Sequence, residues 1–360
     1  MLAMAAAVPD ARAEDDPIAL ARAGTEAIEN RRFGDALQAF TKAAGMRPDD
    51  ASLCFGAGVA AFMLGQNDVA RMRFECALTI NPNYREAAVW LADLHYRSGR
   101  LHDAISVYET ARRHSPADRD IQQQLSAWRK EHQLESRFHE LRTPHFSALY
   151  ESSANGAIAR DVVERLETAY RRIGRTLGLY PSDRITVVLY TREQFRDITK
   201  LAGWSAAAFD GRIRLPVGPS LEEPEELDRV LSHELVHAIA AEIGGRNVPA
   251  WMSEGLATAL EPAGSTDVEA TLAASNARPL STLHRGFVDF SRPDAEVAYA
   301  SAARAVRRLI EQRGVAAVVS LLQDLGRGAP FASAFEQRIA IRYEDFAAAA
   351  DVITGAGRKE

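Results

Sequence analysis

The sequence predicts an α+β protein in two parts: an all-α helical solenoid followed by a mainly helical α+β domain. Three observations carry that prediction. Between Pro17 and Asp118, residues of one kind recur every 34 positions in four registers, as stacked repeats do. From about Thr143 the pattern changes to short alternating or apolar runs set between helix-like segments, which points to a mixed domain. Within that second part, Leu231 to Ile239 places His233 and His237 one helical turn apart on an apolar helix, with Glu234 between them.

At 360 residues, 47% apolar and 26% charged, the chain has the composition of an ordinary globular protein and room for about two domains. A net charge of -6, with no long run of Lys and Arg, argues against a nucleic-acid partner. Met1 to Val8 is a short apolar run, and Ala11-Arg12-Ala13 before Glu14 has the small-x-small form of a signal cleavage site, although a basic n-region is missing. Residues 1–13 are therefore read as a signal peptide truncated at its start, and the mature chain is expected to be periplasmic or secreted. No later stretch reaches the roughly 18 consecutive apolar residues of a membrane span, so no transmembrane segment is expected. Cys54 and Cys76 both fall in helical patterns and are read as small core residues rather than a bridge.

The repeats come first. Ala36, Ala70 and Ala104 are 34 apart, as are Phe40, Phe74 and Tyr108, then Ala43, Ala77 and Ala111, then Pro48, Pro82 and Pro116. Gly24, Gly58 and Ala92 supply a small residue where paired helices touch, the aromatic is a wedge on the second helix, and the proline ends each unit. Residues 17–118 resemble three tetratricopeptide repeats. From Asp118 to Leu134, the stripe Ile121, Leu125, Trp128 and Leu134 among polar residues fits a capping helix on the last repeat, so that 119–142 is expected to be capping helix and linker. The resemblance implies a concave surface for a peptide or partner protein; the other reading is that the array only braces its neighbour.

The second domain is placed at residues 143–350. His145 to Tyr150 alternates as a strand does, Ala157 to Leu177 reads as an amphipathic helix, and Arg184 to Tyr190 as a buried strand. Phe209 to Val217 alternates again, with Asp210, Arg212 and Arg214 on one face. It is read either as a strand that edges a cleft and pairs with an extended substrate or as a plain sheet edge whose Arg residues discourage aggregation. The helix bearing His233 has a capping box in Ser220 and Glu223, a first-turn Pro224 and a stop at Gly244-Gly245. A further helix opens at Ala298 and runs to about Gln312, ended by Gly314.

Two imidazoles at positions i and i+4 share a helix face with Cβ atoms about 5–6 Å apart. Both can therefore reach one metal ion at the roughly 2.0–2.1 Å of a zinc–nitrogen bond. Glu234 sits beside the ion rather than on it, where a carboxylate can take a proton from water. The flanks Val230, Leu231, Leu235, Val236, Ala238 and Ile239 would bury these groups, and buried unpaired polar groups are costly unless a ligand satisfies them. A catalytic zinc needs a third protein ligand, and the candidate is Glu254 in Trp251-Met252-Ser253-Glu254-Gly255-Leu256-Ala257.

The two strings together resemble those of the gluzincin metallopeptidases, most closely the peptidase MA-like domains, with Ser253 where zinc aminopeptidases carry Asn. The resemblance implies a Zn2+ ion held by His233, His237 and Glu254, with Glu234 as general base. It also implies a downstream Tyr or His that hydrogen-bonds the oxyanion, for which Tyr299 and His284 are the candidates. The activity expected is hydrolysis of a peptide or protein substrate. No Gly-x-Met-Glu-Asn string for gripping a free N-terminus precedes the metal helix, which favours an endopeptidase over an aminopeptidase. The rival expectations are a repeat scaffold whose zincin domain is inactive or partner-activated, and hydrolysis of a non-peptide substrate such as an ester at the same site.

Overall fold

The computed structural model describes residues 16–152, 155–181, 184–199, 207–217, 223–264, 267–275, 277–287 and 290–352. The expected signal segment, residues 1–13, and the expected cap Ser220 lie outside them. Six helices form three antiparallel pairs: α1 (Pro17–Glu29) with α2 (Phe33–Met46), α3 (Ala51–Met63) with α4 (Asn67–Ile80), and α5 (Arg85–Arg97) with α6 (Leu101–His114). In the first two pairs Phe40 and Phe74 wedge into the gaps left by Gly24 and Gly58. α7 (Arg119–Glu135) closes the stack, burying Ile121, Leu125 and Trp128 against α6. Cys54 on α3 and Cys76 on α4 form a disulfide, with α carbons 6.0 Å apart, where two separate core residues were expected. Periodicity along each helix shows that both cysteines face inward, but only the pairing of α3 with α4 makes them face each other.

The rest is a sheet wrapped by helices. Strands β1 (His139–Arg142), β2 (Phe146–Tyr150), β3 (Ile185–Thr191), β4 (Ala208–Phe209) and β5 (Ile213–Val217) lie in the order β1-β2-β3-β5-β4. β2, β3 and β5 are parallel to one another, while β1 and β4 are antiparallel edges. α8 (Gly156–Leu177) connects β2 to β3, and α9 (Arg192–Thr199) follows β3. Then come α10 (Pro224–Gly244), α11 (Ala250–Ala259), α12 (Val268–Ala274), α13 (Arg292–Arg313), α14 (Val315–Gly326), α15 (Phe331–Ile339) and α16 (Tyr343–Val352). One face of the sheet, through Phe146, Ala148, Val187, Leu189, Ile213 and Leu215, shares a single apolar core with α8, α10, α11 and α13.

The opposite face of the sheet meets the repeats, and here the structure departs from both readings of Phe209 to Val217. Only Ala208 and Phe209 take an edge; β5 is interior, and Arg212 and Arg214 are 2% and 0% exposed. They are buried because α7 brings carboxylates and α5 a phenol to them, beside the Tyr190 phenol of β3. Arg212 pairs with Glu131 and, at 2.8 Å, with Glu135; Arg214 meets Glu131 at 2.8 Å and Asp210 at 3.0 Å. Arg214 also donates to the hydroxyls of Tyr190 at 2.8 Å and Tyr96 at 2.7 Å. Residues 139–142, expected to end a linker, are instead the edge strand β1, so the capping helix runs almost directly into the sheet.

The array docks along one edge. The turns between paired helices carry Arg31, Gly65 and Gly99, 34 positions apart and all in the left-handed region with φ of 58°, 70° and 73°. Arg31 occupies the place that glycine takes in the next two repeats, and its guanidinium donates to Asn247. Near the second turn, a Cβ on Gly245 at the end of α10 would lie 3.8 Å from the Met63 carbonyl oxygen. At the third, the β4–β5 hairpin presses on α5 so closely that a Cβ on Gly211 would lie 2.1 Å from the Arg97 carbonyl oxygen. Each repeat therefore touches the second part of the chain.

Candidate metal centre

α10 begins at Pro224 with Glu225 and Glu226 in its first turn, where carboxylates favour the positive end of the helix dipole; its N-cap is Glu223 and no side chain caps it. Its apolar residues are buried nearly all round, so the polar groups of the motif are enclosed: Glu234 is 7% exposed, and the side chains of His233 and His237 are 13% and 15% exposed. Pro249 starts α11, which brings Glu254 across to the two histidines. α11 reaches that position by crossing α13 at Gly255, where a Cβ would sit 2.4 Å from the Ala302 carbonyl oxygen.

The structure thus brings together His233, His237 and Glu254, whose candidate ligand atoms all lie within 4.8 Å of one another. Glu254 Oε2 stands 3.4 Å from His233 Nε2 and 3.2 Å from His237 Nε2, buried and without a well-formed hydrogen bond. Tetrahedral coordination with bonds of roughly 2.0–2.1 Å spaces its ligand atoms about 3.3 Å apart. The orphaned carboxylate oxygen and both separations therefore fit a zinc ion.

The outer nitrogens of both rings are also held. His233 Nδ1 lies 3.0 Å from Glu261 Oε1, and His237 Nδ1 lies 3.0 Å from Ser253 Oγ. Ser253, the residue that stands where zinc aminopeptidases carry Asn, thus places its hydroxyl on the outer nitrogen of His237. Glu261 was missed by the sequence analysis. It lies seven positions after Glu254, a spacing of two helical turns, but just beyond the end of α11, where helical periodicity no longer predicts direction.

Charge is balanced tightly here. Burial works against the charged form of His233, but the neighbouring carboxylates of Glu254 and Glu261 outweigh it and push the imidazole up to about 10. Burial would raise Glu254, yet the two imidazoles hold it well below the usual carboxylate range. Glu234 is raised, mainly by burial, with His237 and His233 opposing. A base of this kind is poised nearer neutrality than an exposed carboxylate.

Tyr299 is in reach of the site: its ring meets that of His233 edge to face at 5.9 Å, and burial followed by the Glu254 and Glu234 charges raises its phenol. It lies in the second turn of α13, which starts at Arg292 under a Ser291 cap, earlier than the expected opening at Ala298. His284, the other candidate, is not brought to the histidines. Its Nε2 lies 2.6 Å from Tyr343 Oη and its ring packs on Phe331, among the aromatics around Trp251.

Comparison with known proteins bears on the first part of the chain. Tetratricopeptide-repeat family models match residues 22–74 and 61–128. Residues 22–128 are tetratricopeptide repeats. Among solved structures, the chain is similar to the first tetratricopeptide domain of Spaghetti (RPAP3) bound to the HSP90 peptide SRMEEVD, at 19% identity and a TM-score of 0.30, covering 32% of this chain and 94% of that one. No curated protein matches the chain. Tetratricopeptide arrays are protein-binding scaffolds, which makes a protein or peptide the partner class for this one. No helix among the described residues is long and apolar enough to cross a membrane.

Proposed function

We propose that the chain is an exported zinc-dependent peptidase of the gluzincin type, its catalytic domain joined to a tetratricopeptide array that binds a protein or peptide. The observation that carries the proposal is the seat of Glu254 Oε2, 3.4 Å and 3.2 Å from two imidazole nitrogens on α10, with Glu234 buried beside them. The Cys54–Cys76 disulfide supports export, because such bridges persist in oxidising compartments.

His233 Nε2, His237 Nε2 and Glu254 Oε2 would hold the ion. Zinc, when bound, supplies Lewis acidity toward a scissile carbonyl and toward water. Glu234 accepts the proton of the attacking water on a carboxylate oxygen and hands it to the leaving amine nitrogen. The Tyr299 hydroxyl donates a hydrogen bond to the developing oxyanion. Enclosure by α10, α11 and α13 keeps bulk water from screening these charges.

A second reading, a tetratricopeptide scaffold whose zincin-like domain is inactive or awaits a partner, draws support from the repeat matches. The retained Glu234 weighs against full loss of activity. One experiment separates the readings: zinc content of the purified chain, with cleavage of an unfolded protein substrate with and without chelator, for wild type, Glu234→Gln and Glu254→Gln. Glu234→Gln should keep its zinc while turnover falls by roughly 10²–10⁴-fold. Glu254→Gln loses an anionic ligand, so zinc content drops and added zinc restores part of the activity. Zinc without chelator-sensitive cleavage favours the scaffold; no zinc at all removes the peptidase.

A further inference from the structure

Away from the metal helix, the first repeat and the second domain enclose a crevice of about 370 Å³. Its walls come from distant parts of the chain. The turn between α1 and α2 and the first turn of α2 supply Arg31, Arg32 and Asp35; α14, α15 and the turn between them supply Asp324, Arg327 and Arg338. Four guanidiniums against two carboxylates leave an excess of two positive charges, in a chain whose net charge is -6.

The two carboxylates do not use up the donors. Asp324 is gripped by Arg338 at 2.6 Å and 3.1 Å and met by Arg327 at 3.3 Å, and Asp35 meets Arg32 at 3.2 Å. A guanidinium carries five N–H donors, so Arg32 and Arg327, 57% and 72% exposed, keep donors to spare on opposite walls. The helix starts add to the field. α2 begins at Phe33 and α15 just after Pro330, both residues line the crevice, and no side chain caps either start. Helix N-termini carry partial positive charge and favour anions. Arg31, at φ 58° where the next two repeats carry glycine, takes a backbone conformation that disfavours any side chain. Its guanidinium crosses the junction to Asn247, which donates to the Leu325 carbonyl at 3.1 Å.

We propose that this crevice binds a phosphate-class oxyanion, bridging Arg32 of the first repeat and Arg327 of the second domain. A carboxylate offers two oxygens in one plane and serves one wall. A tetrahedral oxyanion has acceptors on every side and accepts guanidinium forks arriving from both. The proposal goes beyond the peptidase reading and does not depend on zinc.

The test is calorimetric titration of the full chain with inorganic phosphate at fixed ionic strength, with melting temperatures measured in chloride. Wild type should bind one phosphate saturably. Arg32→Gln with Arg327→Gln removes a fork from each wall and should weaken binding by at least roughly tenfold. Asp35→Asn removes a competitor for Arg32 and should tighten it by roughly two- to fivefold. Should the double variant fail to fold, each single variant decides, with weaker binding than wild type expected. Glycerol 3-phosphate, titrated separately, identifies the source: tighter binding than phosphate makes the ligand a phosphorylated small molecule, weaker binding makes it the free ion, and either upholds the site. Charges that only brace the junction would move the melting temperature and leave no saturable binding, which would overturn the proposal. So would acetate binding as tightly as phosphate, or equal phosphate affinity in wild type and the double variant, which places the anion elsewhere.

Discussion

Replacing Gly255 by alanine adds one methyl group next to the proposed ligand Glu254, and the structure says what that methyl meets. It would lie 2.4 Å from the carbonyl oxygen and 2.7 Å from the carbonyl carbon of Ala302, and 2.8 Å from Val306 Cγ2. Two of the three obstacles are backbone atoms in the middle of α13, which cannot swing aside as a side-chain tip can. Carbon–oxygen contacts between packed helices settle at about 3.3–3.6 Å, so α11 and α13 must separate by about 1 Å. Overpacking of this kind costs about 1–3 kcal/mol. The functional effect should be larger than that suggests. Glu254 rides on α11 and Tyr299 on α13, while both histidines ride on α10, so the separation moves a ligand relative to its partners. A misplacement of about 1 Å can cost about 10²-fold in rate. Thermal unfolding of the zinc-free chain, zinc affinity and peptidase turnover should be measured together. Wild-type values in all three would refute the assignment of Gly255 to a forced helix crossing and, with it, the idea that this crossing places Glu254.

Two further outcomes follow from the packing. Arg214→Met removes the guanidinium that Glu131, Asp210, Tyr190 and Tyr96 share, leaving buried acceptors behind, and should destabilise the chain by about 3–5 kcal/mol. Because the network ties α5 and α7 to the sheet, calorimetry should show the array and the second domain losing stability together; two separate transitions with only one displaced would show that they fold independently. Asp324→Asn tests a titrating group remote from the metal site. Arg338 hydrogen-bonds Asp324 and, with help from Arg327, holds its carboxyl below the usual range. A depressed carboxyl stabilises the fold above its unfolded value of about 3.9 and loses that contribution as pH falls through the folded value. The variant should therefore melt below wild type at neutral pH, with the gap closing in acid; a gap unchanged below about pH 3 would refute the ion-pair account.

Much of this molecule was legible because its signals are local. The 34-residue registers located the three helix pairs α1 to α6, since each repeat must offer the same small residue and the same wedge to its neighbour, and an apolar stripe located α7. Two histidines four apart on a helix share a face wherever that helix lies, so the candidacy of His233 and His237 did not depend on tertiary structure. His284 and Glu261 show the limit. Both follow α11 in irregular segments, one carried away to Tyr343 and the other turned back to His233, and no periodicity distinguishes them.

The sequence by itself determined the repeat array, the mixed character of the second part and a helix bearing two imidazoles and a carboxylate, all readable from spacings shorter than a few turns or from a fixed repeat. Tertiary structure alone decided where Arg212 and Arg214 go. Their alternation placed them on one face of a strand, and an exposed edge was the reasonable inference for two arginines, because a guanidinium is rarely buried without partners. The partners, Glu131, Glu135 and Tyr96, belong to the array, far away in sequence, and bury the pair only once the repeats stack along the sheet. The pairing of α3 with α4 likewise turned two cysteines into a bridge, and the pairing of residues 139–142 with β2 turned an expected linker into strand β1. Burial and pairing depend on which distant surfaces meet, and a sequence pattern records only the face that each segment offers.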